Sequence, residues 1–414
     1  MKEIGILSLG CPRNLVDSEI ILERLRQKGY IITDIDKAEF AILNTCAFIK
    51  EAKTESIEAI LDLIELKKRG KLKKIIVYGC LAQRYGPKLS SHLKGVDAFV
   101  GKISLGQNYP HHFYLTPRHY RYIKISEGCS NLCSYCIIPS LIGPYKSRSI
   151  DSILDQIRSL DKEKISEINL IGQDICLYGI DLYGKVQLEY LLRSIIKEIN
   201  RIRWLRLLYL HPAHVSDELL DIIRDSDLIC KYVDLPIQHI NDRILKLMNR
   251  KITKKQTISL LEKIRKKIPR AAIRTSIIIG FPSEKDSEFK ELLDFISEFK
   301  FERLGVFLYS QEEKTAAYKF SPQIPERTKL ERFNTIMQRQ REISESINRS
   351  FLGREIDVLV EEVNRDLYTA RSEFDAPEVD GLVFIRTKRK LSCGEFVKVK
   401  ITDTYEYDLL GEVI

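Results

Sequence analysis

Three apolar runs near the start of the chain each close on a cysteine. They read "EIGILSLGC" to Cys11, "FAILNTC" to Cys46 and "KKIIVYGC" to Cys80. The intervals are 35 and 34 residues, and each interval is filled by a helix-period pattern, near Val16–Lys28 and Ile49–Arg69. Strand-like runs alternating with helices predict a parallel, doubly wound sheet, with Tyr30–Ile35 as a further strand. In such a sheet the carboxyl ends of neighbouring strands share one edge, and ligands bind in the crevice there. Three cysteines far apart in sequence are thereby brought to one place. Taken singly, each could be a small buried residue at a tight strand exit. Cys11, with Pro12 opening a helix behind it, could also be a nucleophile activated by a helix N-terminus. The repeated placement favours a shared metal centre. Three thiols without an obvious fourth partner fit an iron–sulfur cluster with one open iron better than a closed zinc site, which takes four ligands.

A second alternation begins after "GKISLGQNYPHHFYLTP" (Gly101–Pro117), which reads as an interdomain linker. Strands are predicted at Tyr120–Ser126, Ile168–Ile171, Trp204–Leu210, Tyr232–Leu235, Ile273–Ile279 and Leu304–Tyr309. Helices are predicted near Ile150–Leu160, Leu188–Asn200, Asp217–Arg224, Ile252–Lys266 and Glu288–Phe299. Six such units over about 200 residues predict a (β/α) partial barrel, shorter than the roughly 250 residues of a full eight-fold one. At the end of its first strand stands "EGCSNLCSYCIIP", with Cys129, Cys133 and Cys136 spaced C-x3-C-x2-C. Three thiolates on one short loop converge on a single centre. Structural zinc would want a second pair of ligands, and none follows.

The last segment changes character. "FSPQIPERTK" (Phe320–Lys329) reads as a linker, Leu330–Ser350 as a polar helix, and Gly353–Ile414 as short strands between turns. That pattern predicts a small closed β-barrel of the OB-like type. The fold class is therefore α/β, with a Rossmann-like parallel-sheet domain over 1–102, a partial barrel over 118–325 and a small β-barrel over 352–414.

Neither a signal peptide nor a membrane-spanning run is legible, so a cytoplasmic protein without membrane association is expected. Thiols stay reduced there, and the nine cysteines of this 414-residue chain read as metal ligands or packed residues rather than disulfides. Cys230 and Cys393 are expected to be packed. Cys176 follows "LIGQDI" at a strand end near the barrel centre, and packing is favoured there too.

The C-x3-C-x-Tyr-C loop resembles the signature of the radical S-adenosylmethionine (SAM) superfamily, with Tyr135 as the aromatic residue. Two cysteine trios, the first on a Rossmann-like domain and the second on a barrel, followed by a small β-barrel, resemble the radical SAM methylthiotransferases along nearly the whole chain. The resemblance implies two 4Fe–4S clusters. Cys11, Cys46 and Cys80 would hold an auxiliary one, and Cys129, Cys133 and Cys136 would hold the radical-SAM one. It also implies SAM as cofactor and a TRAM domain at the C-terminus. One branch of that family modifies isopentenylated adenosine beside the tRNA anticodon; the other modifies an aspartate of small-subunit ribosomal protein S-twelve. "SLGCPRNLVDSE", "LPIQH", "GFPSE" and "APEVDGLV" look like the second branch. Departures are Arg13 where Lys is usual, Ser283 for Gly, and Ile175-Cys176 where small hydroxyl residues are common.

The reaction implied is methylthiolation of the β-carbon of that aspartate with two SAM per turnover, one giving the methyl group and one the radical. Partners implied are the ribosomal protein, a low-potential electron donor and, on charge, ribosomal RNA. SAM contacts are expected from Tyr135, Gln173, Asp174, Arg274 and Gly280. His211 and His239, also at strand exits, are expected to be satisfied neighbours. Charge adds one consideration. Residues 352–414 hold nine Lys/Arg and fourteen Asp/Glu, a net of −5, so the rest of the chain carries +14 of the overall +9. An RNA-gripping barrel should be basic, whereas an acidic one suits a basic protein partner or is simply a solvated surface.

Overall fold

The computed structural model describes residues 2–102, 113–364 and 367–414. Most of the Gly101–Pro117 linker lies outside the described residues. The first domain carries five parallel strands: β1 Glu3–Ser8, β2 Ile31–Ile32, β3 Phe40–Thr45, β4 Lys74–Gly79 and β5 Ala98–Val100. Their order is β2-β1-β3-β4-β5, the flavodoxin-like doubly wound arrangement. Helices Pro12–Gln27, Lys50–Lys68 and Cys80–His92 connect them. Ala41, Leu43, Ile75 and Val77 of the sheet pack on Ile60, Leu63 and Leu81 of two helices. Cys11 is the N-cap of its helix and Pro12 opens the first turn, where a missing N–H costs nothing.

The second unit holds six parallel strands: β6 Tyr120–Lys124, then β9 Glu167–Ile171, β10 Trp204–Leu207, β11 Tyr232–Asp234, β12 Ala272–Ile279 and β13 Arg303–Leu308. Between β6 and β9, a short antiparallel ribbon (β7 Ser126–Glu127 with β8 Lys146–Ser147) brackets the cysteine loop. The strands form two three-stranded sheets, β6-β9-β10 and β11-β12-β13. A bridge between Leu205 and Ile229 sets them side by side, giving an open six-stranded arc. Outer helices start on side-chain caps, Ser149 to the Ser152 amide and Ser216 to the Leu219 amide, and Thr253 forms a capping box with Gln256. Such caps satisfy N–H groups that the helix itself leaves open. A helix at Asp242–Leu247, capped by Asn241, was not anticipated.

The second linker is shorter than expected. Helix Glu326–Arg349 begins directly after Pro325, so Glu326–Lys329 are its first turn and not loop. The C-terminal strands are β14 Glu355–Asn364, β15 Leu367–Ser372, β16 Val383–Arg386, β17 Phe396–Thr404 and β18 Leu409–Val413. They close in the order β14-β15-β16-β18-β17, with β16 and β18 parallel. Irregularities at Val360/Glu362 and Ile401/Asp403 provide the local bends that let a five-stranded sheet close. The result is OB-like.

The stretch "EFDAPEVD" (Glu373–Asp380) seals the N-terminal end of the partial barrel. The Glu373 carboxylate accepts from the Lys231 amide at 3.0 Å, Arg303 Nε donates to Asp375 at 2.9 Å, and the Tyr120 and Tyr232 hydroxyls donate to Glu378 and Asp380 at 2.7 and 2.6 Å. Beneath them Glu167 is wholly buried between Arg206 (2.8 Å) and Arg371. Much of the acidity of this domain is thus matched within the chain. The count of −5 does not describe an outward face for a basic partner at these residues. Cys230 is packed as expected, but Cys393 is exposed, because it lies in the turn that precedes β17.

Candidate active site

Cys11, Cys46 and Cys80 follow β1, β3 and β4, which are adjacent in the sheet. The structure brings all three to the wall of one cavity of about 120 Å³ at the carboxyl edge. Asn14 ties the exits together. Its Nδ2 donates to the carbonyls of Leu9 (3.0 Å) and Thr45 (3.2 Å), and its own carbonyl accepts from Asn44 Nδ2 at 2.8 Å. Ser56 fixes Cys46 by accepting from its amide at 3.1 Å and donating to its carbonyl at 2.9 Å. Gly10 makes the close approach possible. Its φ is +89°, and a Cβ there would lie 2.7 Å from Cys46 Cβ and 3.1 Å from Cys46 Sγ.

Burial and the neighbouring thiols push Cys46 up to about 11 and Cys80 upward. Burial also raises Cys11, but the Arg13 guanidinium, the Asn14 amide and Lys102 together hold it below its ordinary value. Lys102 and Lys124, which also line this cavity, are engaged by Asp17.

Cys129, Cys133 and Cys136 line a second cavity of about 260 Å³ at the C-terminal end of the barrel strands, the face where barrel chemistry sits. Burial lifts Cys136 to about 12 and raises Cys129. Closely packed buried thiols of this kind become thiolates only with a compensating cation. Among the described residues, neither trio has a fourth cysteine on its cavity wall. The second cavity also holds two buried polar atoms without a partner, Arg250 Nε and Gln173 Oε1. Three thiols with spare polar groups beside them fit a cluster whose remaining iron takes a polar external ligand.

The SAM-contact expectations divide. Tyr135 and Gln173 line the second cavity. Asp174 does not line it and acts behind it. Fully buried, Asp174 accepts from Asn131 Nδ2 (2.8 Å), the Cys176 amide (3.1 Å) and His214 Nδ1 (2.7 Å), and Asn131 in turn directs its amide at Cys129 Sγ, 3.5 Å away. Arg274 is turned away, toward Asp234 (3.1 Å) and Asp380 at the sealed end, because its register on β12 places it beside Asp234. Gly280 is not on the cavity wall either. The space above it is filled by Lys329, whose Cγ would be 2.3 Å from a Cβ, and its amide donates to Glu284 at 2.7 Å. His211 does line the cavity, and burial with nearby Arg250 depresses it to about 2, so it is neutral. His239 is fully buried and accepts from the Asn241 amide at 3.0 Å, but its Nε2 has no partner. Cys176 is buried in the barrel core.

The two cavities adjoin. Arg13, Phe48, Ile138 and Gln173 line both. Arg13 lies over the Tyr209 ring at 4.6 Å and donates to the Gly172 carbonyl at 2.9 Å, and its charge helps hold the Cys11 thiol below its ordinary value. Tyr209 is held at φ +68°, an uncommon conformation for a residue with a side chain. Glu312 locks the domains at this junction. Nearly inaccessible, it accepts from Lys53 (2.8 Å) and from Arg84 (2.7 Å), and Arg84 also donates to the Ala47 carbonyl beside Cys46 at 2.7 Å. Sequence reading noted Arg13 only as a departure and missed Tyr209, Arg250 and Glu312. The motif position of Arg13 was the one available signal.

The radical SAM superfamily profile matches residues 123–296, the uncharacterized protein family UPF0004 matches 3–101, and the TRAM domain matches 352–414. Among solved structures, the radical S-adenosylmethionine methyltransferase TsrM from Kitasatospora setae, with cobalamin and a 4Fe-4S cluster bound, is similar in fold. Its TM-score is 0.54 at 13% identity, covering 89% of this chain and 81% of that one. Fold and thiol loop together define a radical SAM enzyme with a second thiol site on an appended doubly wound domain. The ribosomal protein uS12 methylthiotransferase RimO of Clostridioides difficile is 43% identical over 442 residues, covering 100% of this chain and 99% of that protein. The same-named protein of Desulforamulus reducens is 44% identical over 443 residues, covering all of both. The chain belongs to this RimO family of radical SAM methylthiotransferases. Membership carries SAM and a 4Fe–4S cluster as cofactors. No helix among the described residues is long and apolar enough to cross a membrane.

Proposed function

We propose that the chain methylthiolates the β-carbon of an aspartate in ribosomal protein uS12, using two clusters. The observation that carries this is the pair of three-thiol cavities sharing one wall. Insertion of a methylthio group at an unactivated C–H bond needs a radical source and a sulfur donor held together, and proximity is what a protein supplies best. Cys129, Cys133 and Cys136 would hold the radical-SAM cluster, and Cys11, Cys46 and Cys80 the auxiliary one. When bound, these clusters and SAM supply the radical that removes the hydrogen and the methylthio group that replaces it.

The chain's own residues bind, orient and exclude water. Tyr135 and Gln173 offer an aromatic face and an amide to SAM. Asp174, through Asn131, fixes the loop around Cys129. Glu312, with Lys53 and Arg84, holds the auxiliary domain against the barrel mouth, so that the two cavities stay in register. Phe48 and Ile138 supply the apolar part of the shared wall, beside Arg13 and Gln173. The TRAM domain seals the opposite end of the barrel and leaves the cavity face open to a protein substrate. An external low-potential donor supplies the electron, and the basic remainder of the chain suits ribosomal RNA near the substrate.

The test uses anaerobically reconstituted enzyme with SAM and reductant, offered uS12 or a tRNA anticodon stem-loop carrying isopentenyladenosine. Mass spectrometry should find the methylthio group on the uS12 aspartate. Modification of the RNA and not of uS12 would overturn the proposal.

A further inference from the structure

We propose that Arg13 determines substrate specificity by gripping the carboxylate of the target side chain. The assignment rests on the aspartate reading above and deepens it. A substrate that meets a radical from one cavity and a sulfur group from the other must present its reacting carbon where the two adjoin. Four residues line both cavities there: Arg13, Phe48, Ile138 and Gln173. Arg13 alone among them is charged.

Among the described residues its charge also has no carboxylate partner. The other cations of the first cavity, Lys102 and Lys124, are engaged by Asp17, and Glu312 in the second is engaged by Lys53 and Arg84. Arg13 is instead held by neutral groups. The Gly172 carbonyl takes an Nη1 hydrogen at 2.9 Å, and the Tyr209 ring supports the guanidinium plane at 4.6 Å. These contacts fix the plane while using only part of the five-donor fork. A planar guanidinium fixed on one edge is preorganised to receive a carboxylate.

The size of the substrate group fits. In aspartate the carboxylate is bonded directly to the β-carbon, so the gripping nitrogens lie roughly 4–5 Å from the reacting carbon at ordinary charge-assisted hydrogen-bond lengths. The grip therefore selects the residue and places its β-carbon in one step. Gln173, whose Oε1 is buried without a partner, stands on the same wall and can face the backbone amide of the target.

The experiment compares cluster-loaded wild type, Arg13→Lys and Arg13→Met on uS12 and on uS12 with asparagine at the target position. Wild type is expected to favour aspartate by about 100-fold in kcat/KM, the scale of one lost charge-assisted interaction. Arg13→Lys keeps the charge without the planar fork and should keep part of that preference, and Arg13→Met should reduce it to within a few-fold. If Arg13→Met turns over neither substrate, the same ratio is read from equilibrium binding of the two proteins. An Arg13→Met enzyme that retains the full preference, at whatever rate or affinity, overturns the assignment and leaves Arg13 a cluster-side group. A wild type that leaves uS12 unmodified overturns the reaction reading itself, a separately visible outcome.

Discussion

Gly10→Ala probes how narrowly the auxiliary thiol site is built. Two penalties fall on this substitution. The backbone at φ +89° costs an L-residue about 1–2 kcal/mol. The added methyl would also stand 2.7 Å from Cys46 Cβ, where carbon–carbon contact is normally about 3.5–4.0 Å. Cys46 or the Cys11 turn must then move by roughly 1 Å, several times the ~0.2 Å tolerance of a metal–ligand bond. Cys46 has little room to yield, because Ser56 holds both its amide and its carbonyl. Overpacking of this kind adds about 1–3 kcal/mol, so the domain should lose roughly 2–5 kcal/mol and the site should fail. The control is Gly29→Ala, at φ +84° with nothing within 4 Å of the new methyl, which incurs the backbone cost alone. Iron and sulfide analysis of anaerobically purified protein is the assay. Wild type and Gly29→Ala should carry about eight irons, and Gly10→Ala about four, with the Cys129 cluster and SAM cleavage retained. A full iron complement in Gly10→Ala would refute the reasoning.

Other perturbations test the supporting structure. Glu312→Gln removes the charge that holds Lys53 and Arg84, so methylthiolated product per 5′-deoxyadenosine formed should fall several-fold; unchanged coupling would remove Glu312 from the positioning role. Glu167→Gln leaves Arg206 buried with a neutral acceptor, while Arg371 keeps Glu361, and should cost about 3 kcal/mol in urea unfolding; wild-type stability would mean that the network is already open to water. Burial, the dominant influence, depresses His239 to about 4, below its unfolded value of about 6.5. The unfolded chain binds the extra proton first, so this contribution is present above pH 6.5 and is lost as pH falls toward 4. Wild type should lose about 2 kcal/mol more than His239→Gln between pH 7 and pH 5; equal losses would show that His239 stays accessible to protonation.

The convergence of Cys11, Cys46 and Cys80 was legible because they are spaced by the strand–helix repeat of a parallel sheet, so that sequence interval translates directly into position on one edge. The C-x3-C-x2-C loop was legible because its cysteines are local. What lies between the two sites was not. Arg13, Tyr209 and Glu312 matter through the placement of one domain against another, which leaves no periodic trace. Arg274 and Gly280 illustrate the converse error. Both sit near strand ends, but the register of β12 gives Arg274 to Asp234 and Asp380, and Lys329 fills the space over Gly280. The acidic tally of the last domain could not show which of its fourteen acids face outward, since Glu373, Asp375, Glu378 and Asp380 find their partners inside the chain. Proline at position 325 looked like loop punctuation, yet it immediately precedes a long helix, a position a proline tolerates well.

The central claim is that both thiol sites act together on one aspartate of uS12. The most direct measurement is the intact and fragment mass of uS12 from cells lacking this chain, complemented with wild type or with Cys11→Ala. Wild type should restore a mass gain equal to replacing one hydrogen by a methylthio group, located on a single aspartate, and Cys11→Ala should restore none. A methylthiolated uS12 in the uncomplemented cells, or full restoration by Cys11→Ala, would contradict the account.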